Sequence, residues 1–135
     1  MLGFSLAGIK GAGRVTDKVN LDEKFALFTE WWRPKVIAAL NGQEIKLIKV
    51  CGEFPWHQHA DEDEFFMVWK GEFRVEFRDH VVAMKPGDCI VVPRGVEHRT
   101  CADHEAEVLC FEPQGVLNTG NVTDTAFTAP KGVEI

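Results

Sequence analysis

The chain of 135 residues contains no tyrosine. No reaction step in this protein can therefore depend on a tyrosine base or on a Cys–Tyr crosslink. Concentrated positive charge is also missing, because the 15 Lys and Arg residues form no basic run and are outnumbered by 21 Asp and Glu, for a formal net charge of −6. An acidic chain without a basic patch is a poor match for phosphate groups. We expect neither nucleic acid nor a membrane as a partner.

Long apolar runs and export signals are scarce as well. The apolar start, MLGFSLAGIKGAGR, has no basic residue ahead of it and reaches Lys10 too early for a signal peptide or a membrane span. We interpret residues 1–19 as a loose N-terminal arm and expect a cytoplasmic protein. CxxC spacing is absent, which favours reduced thiols that act as small apolar filler over a disulfide or a nucleophile. This interpretation covers all four cysteines, Cys51, Cys89, Cys101 and Cys110.

The length and the hydrophobic fraction of 45% indicate one globular domain. A short helix is predicted at Asn20, which can cap it, while Glu23 completes a capping box. Short strands separated by turns follow at intervals of about eight to twelve residues, a spacing typical of an all-β sandwich or barrel. Asn41-Gly42 predicts a two-residue hairpin, and Ala102-Asp103-His104 is one of several further predicted turns. We expect a barrel domain over residues 20–120 and a C-terminal tail over residues 121–135.

Two predicted strands differ in whether one of their faces is polar. Residues 72–78, EFRVEFR, alternate apolar inward and charged outward, as in a strand with one wet side. Residues 64–69, EFFMVW, are apolar on both faces, although a barrel wall normally shows one face to water. Either the N-terminal arm or a second subunit must cover the outer face, and we favour a homodimer.

A cluster of metal-binding residue types surrounds the start of this apolar strand. His57 and His59 are two residues apart, so on a strand their side chains share a face with about 7 Å between Cα atoms. Glu64 follows the polar residues 61–63, a predicted solvated turn at which the pleat can reset. His98 offers a third imidazole. An HxH pair alone is as typical of a surface strand as of a metal site, and three histidines that hydrogen-bond inside a barrel are the alternative.

The surroundings of these residues resemble a known family. Two runs stand in the order and with the short connection of the two conserved motifs of the cupin superfamily: Gly52, His57, His59, Glu64 and Gly71, then Gly87, Pro93, Gly95 and His98. Two departures occur within residues 52–102, the range that the resemblance covers. Four residues rather than five separate Gly52 from His57, and Ala102 stands where the second motif often has Asn.

The resemblance implies an all-β, double-stranded β-helix of the cupin or jelly-roll type, holding one divalent transition metal through His57, His59, Glu64 and His98. Imidazoles and a carboxylate suit iron, manganese, zinc or nickel. Two functions stay open. One is a metal-dependent oxygenase, lyase, decarboxylase or isomerase that acts on a small, partly apolar substrate, with Glu64 as ligand and catalytic proton carrier. The other is a non-catalytic module that binds or senses a small molecule through the metal.

Several further residues are assigned from the pattern. The expected apolar lining of the site is Phe66, Val68, Phe73, Val75 and Phe77. Candidates for an additional acid or base, with their facing left open, are Lys49, Glu53 and Arg99. Trp56 either lines the mouth or packs under the barrel edge, and Trp31 and Trp32 are expected to begin a strand and to pack in the core or at a dimer contact. His80 and His104 are interpreted as surface residues.

Overall fold

The computed structural model describes residues 16–124 and 126–135. Seven strands and one short helix make up its regular structure, and the all-β prediction with one short helix is confirmed. The elements are α1 (Leu21–Phe25), β1 (Lys35–Leu40), β2 (Gln43–Glu53), β3 (Glu64–Lys70), β4 (Phe73–Phe77), β5 (Val81–Met84), β6 (Cys89–Val92) and β7 (His98–Pro113). None of the described helices is long and apolar enough to cross a membrane. The predicted cytoplasmic location stays a prediction.

The strand β7 organises the barrel, a double-stranded β-helix in which all named strands pair antiparallel. The sheet order is β1-β2-β7-β3-β6, and β4 pairs with both β7 and β5. The first residues of β7 pair with β4, residues 107–111 pair with β3, and β2 runs along both parts. The predicted turn at Ala102-Asp103-His104 is wrong, because β7 continues through it. The polar residues there are exposed and interrupt the pairing with β2. The register between β7 and β2 shifts at this point, between Val50 and Gly52.

The predicted hairpin at Asn41-Gly42 and the predicted helix cap at Asn20 are both confirmed. Asn41 and Gly42 both have positive φ, +50° and +75°, which is the backbone that a two-residue type I′ hairpin requires. The Asn20 side chain accepts a hydrogen bond from the Glu23 backbone N–H at 3.0 Å and caps α1. The helix is only five residues long. Its stability therefore depends on packing against the sheet.

The helix covers part of the outer face of the sheet. Phe25 packs with Phe28, Ile37 and Leu47 in a small apolar cluster, and Trp69 of β3 packs against that cluster. The Trp69 indole N–H donates to Asp22 Oδ1 at 2.8 Å. The chain itself therefore covers one end of the strand that is apolar on both faces. Residues 1–15 of the predicted arm lie outside the described residues, and the homodimer stays a prediction.

The inner faces of the strands form the main core. Phe73 and Val75 of β4 are buried, which confirms the alternation in residues 72–78. Trp32 is buried against Phe54, with ring centroids 4.9 Å apart, and its indole N–H donates to the Cys51 carbonyl. Trp31 is half exposed. The prediction that the tryptophans begin a strand is wrong, because β1 starts at Lys35, but core packing is confirmed for Trp32.

The cysteines and the C-terminal residues occupy varied positions. Cys101 and Cys110 are buried as expected for apolar filler, whereas Cys89 is exposed. Residues 126–135 lie against β1: the Val36 N–H donates to the Val133 carbonyl at 2.7 Å, and the Ile135 N–H donates to the Val36 carbonyl. The boundary between barrel and tail at residues 120 and 121 stays a prediction.

Charged side chains form a ladder on the outer face of β4 and β7. Glu76 accepts from Arg74 Nε at 2.8 Å and from Arg99 Nε at 2.7 Å. The hydrogen bonds from Arg74 and then Arg99 lower the pKa of Glu76 from 4.5 to about 2. Since this folded-state pKa lies below the unfolded value, the stabilisation is present above about pH 4.5 and is lost as the pH falls from 4.5 towards 2.

We expect Glu76→Gln to lower the melting temperature at pH 7 by about 2–5 °C, because it removes the carboxylate shared by two arginines. The difference from the wild type should shrink as the pH is lowered from about 4.5 to about 2.5, because the carboxylate becomes protonated in the unfolded state while it stays largely ionised in the folded state. Thermal melts at several pH values measure this. Glu72→Gln, at an exposed position before β4, makes the same charge change as a control. A pH-independent difference would contradict the ladder's role.

Candidate metal centre

The structure brings together the four residues that the sequence predicted as ligands. His57 and His98 form an antiparallel bridge in which each backbone N–H donates to the other residue's carbonyl at 2.9 Å. The His59 carbonyl accepts from the Gly95 N–H at 2.8 Å. Glu64 is the first residue of β3 and points inward with Phe66 and Val68. All four side chains are buried, with exposed fractions between 1% and 5%.

Backbone carbonyls orient two of the imidazoles. His57 Nδ1 lies 2.9 Å from the Pro55 carbonyl, and His98 Nδ1 lies 2.9 Å from the Val96 carbonyl. Because a carbonyl oxygen only accepts, each Nδ1 must carry the proton. This tautomer leaves each Nε2 with a free lone pair. Such an outer hydrogen bond is typical of histidines that ligate metals.

The other potential ligand atoms of the cluster lie close together but form no hydrogen bonds with one another. Nε2 of His59 and Nε2 of His98 lie 3.4 Å and 3.3 Å from the same oxygen, Glu64 Oε1. None of these three buried atoms has a hydrogen-bond partner in the described part of the chain. One ligand atom from each of the four residues lies within 4.8 Å of the others. Unpaired buried polar atoms are rare in folded proteins. Their convergence fits a bound cation and disagrees with three histidines that simply hydrogen-bond inside a barrel.

The charges in the cluster also suit a cation. Burial, assisted by the nearby His98, lowers the pKa of His57 to about 4. Burial acts in the same direction on His59, but the Glu64 carboxylate outweighs it and raises the pKa of His59. Burial acts to raise the pKa of Glu64, yet the contacts with His59 and His98 hold it well below its usual range. An ionised carboxylate therefore stands beside imidazoles, the donor set that iron, manganese, zinc or nickel accepts.

A small, mostly apolar cavity of about 40 Å³ adjoins the cluster. It has room for about three water-sized groups. Of the expected lining, Phe66 and Phe73 are confirmed, whereas Val68, Val75 and Phe77 lie elsewhere in the barrel. The lining consists of Trp32, Pro34, Ile48, Val50, Phe54, His57, Glu64, Phe66, Phe73, Thr100, Val108, Glu112 and Asn118.

Glu112 is a polar lining residue that the sequence interpretation missed. It is buried, and its Oε1 accepts from Lys46 Nζ at 3.0 Å. Burial and the negative charge of Glu64 raise the pKa of Glu112 to about 7. A usable signal was present in the sequence. Ala106, Val108 and Cys110 alternate along β7, and Glu112 continues the same inward phase.

The other residues named from the sequence lie outside the cavity. Lys49 Nζ donates to the Phe28 carbonyl, and Arg99 pairs with Glu53 and Glu76 on the outer face. Trp56 packs on the outside of the barrel edge, with the Arg78 guanidinium 3.8 Å from its ring centroid. The additional acid or base is therefore none of the three candidates. His80 and His104 are exposed, as expected.

Loops outside the barrel hold the ligand segment in place. Asp63 accepts from the Arg94 backbone and side chain, which ties the acidic loop to the loop before β7. The Gln58 backbone, between the two histidines, bonds twice to Asn121: its N–H donates to Asn121 Oδ1 at 2.9 Å, and its carbonyl accepts from the Asn121 N–H at 3.0 Å. Gly120 has φ +58°, and a Cβ there would collide with the Gln58 carbonyl. The contact with the Gln58 backbone therefore requires both Gly120 and Asn121.

We expect Asn121→Ala to weaken metal binding by about tenfold, because the segment carrying His57 and His59 loses a side-chain acceptor that fixes it. Asn121→Asp keeps an acceptor oxygen and should restore most of the affinity. Competition titration of purified protein with a chelator measures the change. Gln114→Ala, at an exposed position of the same C-terminal region, is the control. Equal affinity in all four proteins would show that Asn121 does not position the ligands.

Comparison with known proteins agrees with the fold. The sequence pattern described as the cupin domain matches residues 45–112, about half of the chain. YdbB, an uncharacterised protein of Bacillus subtilis, is 35% identical over 89 residues that cover 58% of this chain and 79% of YdbB.

Solved structures give the same result. A cupin-2 domain containing protein from Shewanella frigidimarina is 44% identical with a TM-score of 0.71, over 71% of this chain and 94% of that one. A putative mannose-6-phosphate isomerase from Ralstonia eutropha is 25% identical with a TM-score of 0.52, over 59% of this chain and 82% of that one. The resemblance in the motifs is therefore confirmed, and the chain belongs to the cupin-domain family.

Proposed function

We propose that the protein is a metal-dependent enzyme that acts on a small, partly apolar substrate. One observation carries the proposal: the unpaired ligand atoms of His59, Glu64 and His98, with His57 beside them, converge at the wall of a small apolar cavity. A metal held by these four residues would supply a Lewis acid or a redox centre, according to its identity.

The chain's own residues have distinct roles in this proposal. His57, His59 and His98 hold the ion through Nε2. Glu64 would bind the ion through Oε1, and because its second oxygen is not needed for that contact, that oxygen would take or return a proton. Phe54, with the other aromatic side chains of the cavity, excludes water and binds the apolar part of the substrate.

Enzyme chemistry is favoured over binding alone by the position of the cluster. It opens onto the cavity, and open metal sites are typical of catalysis, whereas structural sites are closed by protein ligands. The fold neighbour described as a putative mannose-6-phosphate isomerase adds support for an enzyme. The alternative is a module that binds or senses a small molecule through the same four residues.

We expect single replacement by Ala of His57, His59 or His98, and Glu64→Gln, to remove most of the bound metal, because each removes one donor from a set of four. Metal analysis of protein produced without a histidine tag measures the content. His80→Ala and His104→Ala remove exposed histidines and should leave the content unchanged. Stoichiometric metal in all four site variants would contradict the proposal.

Turnover separates the enzyme from the binding module. Protein loaded with iron, manganese, zinc or nickel is incubated with a panel of small hydroxy acids, keto acids and sugars, and products and dioxygen uptake are followed. We expect turnover that disappears in Glu64→Gln and persists in His104→Ala. Saturable binding to the metal-loaded protein without any product would support the binding module instead.

A further inference from the structure

The two oxygens of the Glu112 carboxylate have different surroundings. Oε1 accepts from the Lys46 ammonium at 3.0 Å. Oε2 is buried and has no hydrogen-bond partner among the described residues. The side chain is only 4% exposed, so bulk water does not satisfy that oxygen. A buried acceptor without a partner costs about 1–3 kcal/mol. Because Glu112 lines the cavity, a hydrogen-bond donor of a ligand bound there would satisfy this oxygen.

Lys46 supports Glu112 from outside the cavity. Lys46 does not line the cavity, whereas Glu112 does. Its ammonium also lies 3.6 Å from Glu44 Oε1, so it is held between two carboxylates. The Lys46 ammonium holds Oε1, which leaves Oε2 as the carboxylate oxygen available to a ligand. Besides the proposed ligand Glu64, the mostly apolar cavity therefore presents a second carboxylate that is held in place from behind.

We propose that Glu112 determines ligand specificity by accepting a hydrogen bond from a hydroxyl group, and that the ligands are small α-hydroxy acids. This inference rests on the metal-dependent function proposed above: a metal held by the four residues would bind an oxygen of the ligand carboxylate. Glu112 would then accept a hydrogen bond from the α-hydroxyl group of the ligand. An apolar substituent on the same carbon would contact the aromatic walls.

The spacing limits the length of the ligand. A carboxylate oxygen of Glu112 lies within 4.8 Å of one of Glu64. A molecule that reaches both the proposed metal and Glu112 is therefore short, and two functional groups on adjacent carbon atoms suit this separation. The cavity of about 40 Å³ also admits only a few heavy atoms beside the ion. Both limits are met by a compound of two to three carbons.

A second metal ion is a poorer explanation for the unpaired oxygen. Glu64, Cys110 and Glu112 offer ligand atoms within 4.8 Å of one another. However, the Lys46 ammonium is already bound to Glu112 and would repel another cation. Burial and the charges of Glu112 and Glu64 also raise the pKa of the Cys110 thiol, which opposes the thiolate form that binds metals.

The test uses zinc-loaded full-length protein and two probes, lactate and 2-fluoropropionate. The probes have similar size, but the fluorine cannot donate a hydrogen bond. Isothermal titration calorimetry gives Kd for each probe. The hydroxyl also binds the metal better than fluorine does, so the informative quantity is the change in the lactate preference between protein variants. Glu112→Met removes the acceptor, and the double variant K46M/E112M removes the buried pair together, so that no charge is left alone.

Wild-type protein is expected to prefer lactate, and both Glu112 variants are expected to lose about tenfold or more of that preference while keeping stoichiometric zinc. Glu44→Gln is the matched control, because Glu44 shares Lys46 but does not line the cavity. An unchanged preference in the Glu112 variants, an equal loss in Glu44→Gln, or no lactate binding by zinc-loaded wild type would overturn the role of Glu112 and leave the metal function standing. Wild type that binds no stoichiometric zinc would overturn both.

Discussion

The mutual backbone hydrogen bonds between His57 and His98 are the contact on which the candidate centre depends. They place one imidazole from the loop before β3 directly opposite one from the start of β7, with ring centroids 4.5 Å apart. The Phe54 N–H extends the same pairing by donating to the Thr100 carbonyl. Main-chain geometry therefore sets the separation of these side chains, and their identities decide what the site can bind.

The charges around the cavity explain why an ion suits this place. Glu44, Glu64 and Glu112 are largely buried, and Lys46 is the buried cation beside two of them. A buried ion pair contributes little to stability when its desolvation is counted, so a hydrophobic pair of similar size would serve the fold as well. The excess of carboxylates is instead balanced when a divalent cation joins Glu64. The proposed metal would therefore balance the excess negative charge of the buried carboxylates.

Much of the fold and the centre could be predicted from the sequence because short-range chemistry determines them. Asn41-Gly42 adopts the backbone that only a few residues tolerate, and the order of the motif residues identified the four that converge. The predictions failed where distant contacts decide. Asp103 and His104 resemble a turn but form an exposed irregularity within β7, and the residues on either side of them are paired with β2. The contact of Asn121 with Gln58, far away in the sequence, was not foreseen either.

Glu112 was missed for a related reason. A single Glu before Pro113 resembles the solvent-exposed end of a strand. Only its spacing of two and four residues from Cys110 and Val108 shows that it lies on the same inward face. Phase matters along the whole of β7, which is 16 residues long. His98, Thr100, Cys110 and Glu112 all project from its inner face, so one strand reaches both the proposed ligands and the floor of the cavity.

The length of β7 also affects how the protein can open. Because β7 pairs with β2, β3 and β4, it cannot detach locally without breaking the sheet in several places. His98 therefore belongs to the most cooperative part of the fold, whereas His57 and His59 lie on a loop outside the named strands. Release of a bound ion through movement of that loop would break both backbone hydrogen bonds between His57 and His98, whereas the pairing of β7 with its neighbouring strands would stay intact.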